Sequence, residues 1–236
     1  MDDLALMALR ADADFTFDAR GRLLLTNEPL AAARRPAPRL FLGRAGTGYV
    51  VRYGAGLSDE TGARLRAVVA GLPAAGGPRI PEDVRAALRE VLAGEGPVAR
   101  EGGGPAYRFP ETIRAAGEVE VIPMRAATRG LARETFPWLE REVEDWPPCF
   151  AVVRDGAAVS VCFSARLTAD AAEAGVETLS EYRGRGFAAA VTAAWGTAVR
   201  DTGRAPLYST SWDNAASRGI ARRLGLVMFG SDATWT

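Results

Sequence analysis

Two short apolar blocks, Cys149-Phe-Ala-Val-Val-Arg154 and Ala157-Ala-Val-Ser-Val-Cys-Phe-Ser164, flank Asp155-Gly156. Asp-Gly supplies the two positive-φ positions of a type I′ turn, so the pattern predicts a β-hairpin. Upstream of it, apolar residues recur at helical spacing from Leu131 to Val143, around Phe136-Pro-Trp-Leu139. Downstream, the pattern predicts a strand over Gly175 to Leu179, a helix over Phe187 to Asp201 and a strand over Pro206 to Thr210. A helix over Asn214 to Leu224, stopped by Gly225, and a last strand over Leu226 to Phe229 follow. From the hairpin onward the order is strand, strand, strand, helix, strand, helix, strand.

The first half is less regular. Arg39-Leu-Phe-Leu-Gly43 and Gly48-Tyr-Val-Val-Arg-Tyr53 read as a strand pair turning at Gly46-Thr-Gly48. A helix is expected over Asp59 to Leu72, with Ser58 as N-cap and Pro73 beyond its end, and another from Pro81 to Leu92. The Ala-Ala-Ala-Arg-Arg run at 31–35 and the Pro36 to Pro38 segment read as a surface loop. Gly94-Glu-Gly-Pro97 and Gly102-Gly-Gly-Pro105 interrupt the pattern, and such runs favour turns. With a boundary placed near residue 115, two units are expected: 1–115, a smaller α/β domain without visible chemistry, and 116–236.

Composition narrows the chemistry. The 29 basic and 29 acidic residues cancel, which predicts no nucleic-acid or membrane-surface partner. Apolar stretches such as Gly156 to Phe163 are too short for a bilayer span, and the opening Met-Asp-Asp-Leu lacks a cationic leader, so a cytoplasmic location is expected. Cys149 and Cys162 are the only cysteines and are expected to be reduced core residues. There is no His, and every one of the 29 basic residues is Arg. Without Lys there is no Walker A loop and no pyridoxal Schiff base; without His there is no Ser-His-Asp triad and no histidine-bound zinc. No metal is expected, and a general base has to be a carboxylate, a weaker oxygen or sulfur group, or water. Cys162, mid-strand with no His to activate it, is a poor nucleophile.

The segment Val176-Glu-Thr-Leu-Ser-Glu-Tyr-Arg-Gly-Arg-Gly-Phe-Ala188 carries a strand through a glycine turn directly into a helix. Such a turn is an anion cradle: free N–H groups and the helix dipole favour negative charge, and Gly184 and Gly186 let a diphosphate approach. Gly184, Gly186 and Ala189 also satisfy the dinucleotide pattern G-x-G-x-x-A. A dinucleotide site wants an acid near the end of the next strand, yet Tyr208-Ser-Thr210 has none before Asp213. A glycine turn that merely permits close strand–helix packing is the plainer reading.

Arg183-Gly-Arg-Gly-Phe-Ala188 resembles the R/Q-x-x-G-x-G/A signature of the GNAT acetyltransferases. Asn214-Ala-Ala-Ser217 leading to Arg223-Leu-Gly-Leu226 resembles the signature of that family's next helix, at the expected separation. The resemblance covers about residues 121–236. It implies an α/β fold with a mixed central sheet and flanking helices, acetyl-CoA as co-substrate, an amine acceptor and direct acetyl transfer. It further implies that the backbone at Val176, Glu177 and Thr178 splays from its neighbour to bind pantetheine and the acetyl carbonyl. The turn of Arg183, Gly184, Arg185, Gly186, Phe187 and Ala188 would hold the diphosphate, and Asn214 and Ser217 would meet the pantetheine or thioester. Many family members have a Tyr four residues after the Ser217 position; here it is Ala221, which leaves Ser217, Tyr208 or water to protonate the leaving thiolate. Glu177 is the first candidate base and Glu173 the second, although an alternating strand also allows Glu177 simply to face solvent. The family usually adds a strand after Leu226 to Phe229, so that edge is expected to pair with the amino-terminal half or with a second subunit, as in a homodimer. A non-catalytic acyl-CoA-binding or sensing module stands as the alternative function, a dinucleotide-dependent oxidoreductase as a third.

Overall fold

The computed structural model describes residues 1–46, 48–72, 78–113 and 119–236. Twelve strands and six α-helices are found among them. The chain starts with α1 (Asp3–Asp14), β1 (Phe15–Phe17), β2 (Leu23–Thr26), β3 (Leu40–Ala45), β4 (Gly48–Tyr53), α2 (Asp59–Ala70) and α3 (Glu82–Ala93). It continues with β5 (Glu101–Gly102), β6 (Pro105–Arg108), β7 (Ile122–Pro123) and α4 (Pro137–Glu142). β8 (Phe150–Arg154), β9 (Ala157–Leu167), β10 (Ala171–Thr178), α5 (Phe187–Asp201), β11 (Ala205–Ser209), α6 (Ala215–Arg223) and β12 (Val227–Trp235) complete it.

Strands β3 to β12 form one mixed sheet in the order β4-β3-β12-β6-β11-β10-β9-β8-β7, with β5 also paired to β12. The β10–β11 pair is parallel and is bridged by α5; the other ladders are antiparallel. Side-chain alternation places one layer on each face. On β10, Ala171 packs with α1 whereas Ala172 packs with α5 through Trp195 and Val191. On β3, Phe41 packs with α1 and its neighbours Leu40 and Leu42 pack with α2 and α3. Trp195 is fully buried and its indole N–H donates to Ser164 Oγ at 3.1 Å, pinning α5 to β9.

The predicted hairpin is present, with Asp155 at φ 50° and Gly156 at φ 78°. Ser58 caps α2 by accepting from Thr61 N at 3.1 Å, and Asn214 caps α6 by accepting from Ser217 N at 3.0 Å. Cys149 and Cys162 are buried free thiols. The 131–143 segment departs from expectation: α4 begins only at Pro137, between short 3₁₀ turns at Arg129–Ala132 and Val143–Asp145. Proline is accommodated at the first helical position but cannot sit further inside, so it splits the apolar run. Thr47 and Pro73, assigned to a turn and a helix end, lie outside the described residues, as does the boundary near 115.

The last strand is the larger correction. It runs to Trp235 because both of its edges are occupied by amino-terminal strands, β3 on one side and β6 with β5 on the other. β6 also pairs with β11, so it threads between two strands of the carboxy-terminal half. The run Gly102-Gly-Gly-Pro105 is therefore no simple linker. A Cβ on Gly104 would overlap the Thr210 carbonyl, and one on Gly103 would overlap the Asp232 carbonyl, where φ is also +129°. Strands from both sides of residue 115 thus share hydrogen bonds in one sheet.

Gly104→Ala should accordingly lower stability by about 3 kcal/mol, the upper range for forcing extra atoms into packed structure. Gly56→Ala, where nothing lies within 4 Å of the added Cβ, should stay within about 0.5 kcal/mol of the parent. Urea-unfolding midpoints of the two variants measure the difference.

Candidate active site

The parallel register between β10 and β11 covers only Ala171↔Ala205, Ala172↔Pro206 and Glu173↔Leu207. Beyond it the two strands part. Ala174 to Thr178 remain paired with β9 on their far side, and Leu207 to Ser209 with β6 on theirs. A register shift between Glu173 and Ala174 marks the point of separation. The backbone of β10 thus turns one hydrogen-bonding edge into the gap.

The gap belongs to a cavity of about 1150 Å³. Its walls include Ala174, Val176, Glu177 and Thr178 from β10, and Arg183, Gly184, Gly186, Phe187 and Ala188 from the turn and the start of α5. Tyr208, Ser209 and Thr210 from β11, Asn214, Ser217 and Arg223 from α6, and Thr135, Phe136 and Trp138 from the α4 segment complete them. Of the predicted set, only Arg185 and Glu173 do not line it. Arg185 is exposed, donates to the Glu181 carbonyl and lies 5.0 Å over the Tyr182 ring.

At the turn, Gly184 has φ 75° and Gly186, the N-cap of α5, has φ 85°. No side chain caps this helix start, so its first-turn amides stay available to an anion, with the helix dipole behind them. A Cβ on Gly186 would fall 2.9 Å from Arg223 Nη2, which places that guanidinium beside the turn.

On α6, the Tyr208 hydroxyl meets Ser217 Oγ at 2.5 Å and donates to the Ser217 carbonyl at 3.2 Å. Burial lifts the phenol well above its ordinary range, so it holds its proton at neutral pH. Ala221, at the position where a Tyr was sought, is buried in the core beneath α6. The hydroxyl pair approaches from β11 instead. The Asn214 side-chain oxygen is engaged as the helix cap.

The two glutamates on β10 occupy different settings. Glu177 is solvent-accessible through the cavity. Partial desolvation raises its carboxyl, with a hydrogen bond from the Trp138 side chain acting in the opposite direction. Glu173 is buried on the α1 face, 4.0 Å from Arg10 Nε. Arg10, from the amino-terminal helix, also holds Asp232 at 2.7 Å and Asp14 at 3.2 Å, and donates to Ser209 Oγ at 3.1 Å. No motif in the first half points to chemistry, yet this arginine reaches the cavity wall through Ser209. Its partners Glu173, Ser209 and Asp232 lie more than 150 residues along the chain, so no local pattern marks it.

One guanidinium faces three carboxylates in this cluster, and burial pushes Glu173 up to about 7 against the attraction of Arg10. The folded chain therefore keeps a proton that the unfolded chain has released. This contribution to stability is complete below the ordinary Glu value and is lost as pH rises through about 7; Asp232, raised by burial too, acts with the same sign. The unfolding midpoint should fall between pH 5 and pH 8, and Glu173→Gln should flatten that dependence. Denaturation curves across this range read it directly.

The profile of the GNAT acetyltransferase family matches residues 149–230. No curated protein matches the chain significantly. Among solved structures, a putative GNAT-family acetyltransferase from Novosphingobium aromaticivorans DSM 12444 is similar, at TM-score 0.50 and 17% identity, over 99% of this chain and 96% of that one. A GCN5-related N-acetyltransferase-like protein from Streptococcus suis 89/1591 aligns at TM-score 0.48 and 15% identity, over 86% and 85%. A tandem GNAT protein from the clavulanic acid biosynthesis pathway aligns at TM-score 0.43 and 13% identity, over 98% and 93%. At this identity the first of these speaks to fold alone, and its likeness extends through the amino-terminal half. The parted β10–β11 pair and the glycine turn into α5 lie within the matched stretch: residues 149–230 of this chain carry a GNAT acetyltransferase domain.

Proposed function

We propose that the protein transfers an acetyl group from acetyl-CoA to an amine by direct attack. The observation that carries this reading is the continuity of one cavity from the uncapped, glycine-lined start of α5 to the open edge of β10. A diphosphate fits the first and an extended pantetheine arm the second, through main-chain hydrogen bonds from Val176 to Thr178. Arg183 and Arg223 add charge at the diphosphate end. The chain of roles is short. Glu177 takes a proton from the incoming ammonium, directly or through water, and the freed nitrogen lone pair attacks the thioester carbonyl carbon. The tetrahedral intermediate gives up its second nitrogen proton to solvent and collapses by breaking the C–S bond; Ser217 gives its hydroxyl proton to the departing thiolate and recovers one from Tyr208, which is reprotonated from solvent. Glu173 stands behind Ser209 as a second carboxylate, one step removed from the acceptor. The amino-terminal half, residues 1–115, shapes the cavity wall through Arg10 and closes the sheet with β6.

Gly186→Val combines backbone strain at φ 85° with crowding of Arg223. It should weaken acetyl-CoA binding at least tenfold, about 1.4 kcal/mol, in calorimetric titration of a folded variant. Unchanged affinity would move the ligand elsewhere.

Glu177→Gln should retain acetyl-CoA affinity and lower turnover by roughly a hundredfold, the usual scale of general-base help. With the carboxyl raised above its ordinary value, the parent enzyme's kcat/KM should drop on the acid side as that group is protonated. The variant should recover toward the parent above the acceptor's own pKa, where free amine is abundant. Rates that match at every pH would remove Glu177 from the mechanism, and acetyl-CoA binding without turnover on any amine would instead favour a sensing module.

A further inference from the structure

Apart from the glycine turn and α6, the cavity wall includes Thr135, Phe136 and Trp138 together with Glu177, Ser209 and Thr210, the Trp138 side chain reaching Glu177. Resting on the acetyl-transfer reading above, we propose that this part of the cavity takes a primary amine bearing a single positive charge on an apolar aryl or alkyl body, without a second ammonium and without a carboxylate.

Charge counting is the first support. Among the described residues, the cavity wall contains three charged side chains, Glu177, Arg183 and Arg223. Arg223 lies against Gly186, at the diphosphate end, and Arg183 Nε donates to the Thr178 carbonyl at 3.3 Å, just ahead of the glycine turn. Glu177 is then the one ionic partner for an acceptor. It can pair with one ammonium; a second ammonium in the cavity would share the wall with two arginines and find no carboxylate left to pair with. An acceptor carboxylate fares no better. Arg10, behind Ser209, already faces Asp14, Asp232 and Glu173.

Shape is the second. Trp138 meets Phe163 edge-to-face at 4.8 Å and Trp146 at 5.6 Å, and those two rings meet each other at 5.5 Å. Phe163 lies flat on Gly175 of β10, where a Cβ would overlap its ring. The three rings therefore form a braced block between α4 and the sheet, and Trp138 is the member that lines the cavity. A braced aromatic wall next to one carboxylate suits an ammonium with an apolar tail, the carboxylate and the ring π-face sharing the cation end. The remaining polar groups in this part of the wall, the hydroxyls of Thr135, Ser209 and Thr210, carry no charge and tolerate neutral polar substituents.

The test uses the full chain with saturating acetyl-CoA and matched amines: 2-phenylethylamine against phenylalanine, phenylalaninamide against phenylalanine, and n-hexylamine against 1,6-diaminohexane and spermidine. Thiol release and product mass are both recorded, with acetyl-CoA affinity measured by calorimetry alongside. Each monoamine lacking a carboxylate should exceed its charged counterpart at least tenfold in kcat/KM. Trp138→Leu should raise KM for 2-phenylethylamine at least fivefold while the acetyl-CoA dissociation constant stays within twofold. Equal or better turnover of the diamine, spermidine or phenylalanine would overturn the acceptor class while leaving acetyl transfer standing. Failure to bind acetyl-CoA, or acetyl-CoA binding without transfer to any amine, would overturn both this inference and the function it rests on.

Discussion

The parallel ladder between β10 and β11 holds for three residue pairs and then opens, and the cavity exists because of that opening. An interrupted ladder ordinarily leaves buried N–H and C=O groups unpaired, at a cost comparable to a lost hydrogen bond each. Here each strand is held on its outer side, β10 by β9 and β11 by β6. The inner edges can separate without loosening the sheet, and they face a space a ligand backbone can fill. The register shift at Glu173/Ala174 bends β10 away at that point.

β6 is consequently more than a filler of the sheet. It comes from the amino-terminal half and is wedged between β11 and β12, where glycines at 103 and 104 allow backbone to lie against backbone. Removing it would expose edges on two strands at once, one of them carrying Tyr208 and Ser209 of the cavity wall. The same half contributes Arg10, whose guanidinium is enclosed by three carboxylates from α1, β10 and β12. A buried charge of this kind is tolerated only when its partners are in place, so the cluster ties the first helix to the position of Ser209. The two halves share one hydrogen-bonded sheet and one buried electrostatic centre.

Much of the carboxy-terminal half was legible because its signals are local. Asp155-Gly156 demands positive φ at both positions, Asn214 and Ser58 are helix caps, and α5 begins where the glycine turn ends. The amino-terminal contribution was less legible. α1 has Asp2 accepting from Ala5 N as its cap and a modest apolar face of Leu6, Met7 and Ala11, a pattern too weak to separate from an irregular leader. β5 and β7 have two residues each and β6 four, too short for any periodicity to register.

By itself the sequence determined the classes of chemistry open to this chain, since a protein without His or Lys must take its general base from a carboxylate, a weaker oxygen or sulfur group, or water. It also determined the glycine turn that leads into α5, because positive φ at Gly184 and Gly186 is a property of those residues. The tertiary structure decided what those elements face. It extended β12 to Trp235 by giving it partners on both edges, set Tyr208 against Ser217, sent Glu173 into a buried charge cluster and left Glu177 on the cavity wall beside Trp138. Two glutamates four residues apart on one strand look alike in sequence. Their surroundings come from strands and helices distant along the chain, and a carboxyl group's proton affinity and reach follow from those surroundings.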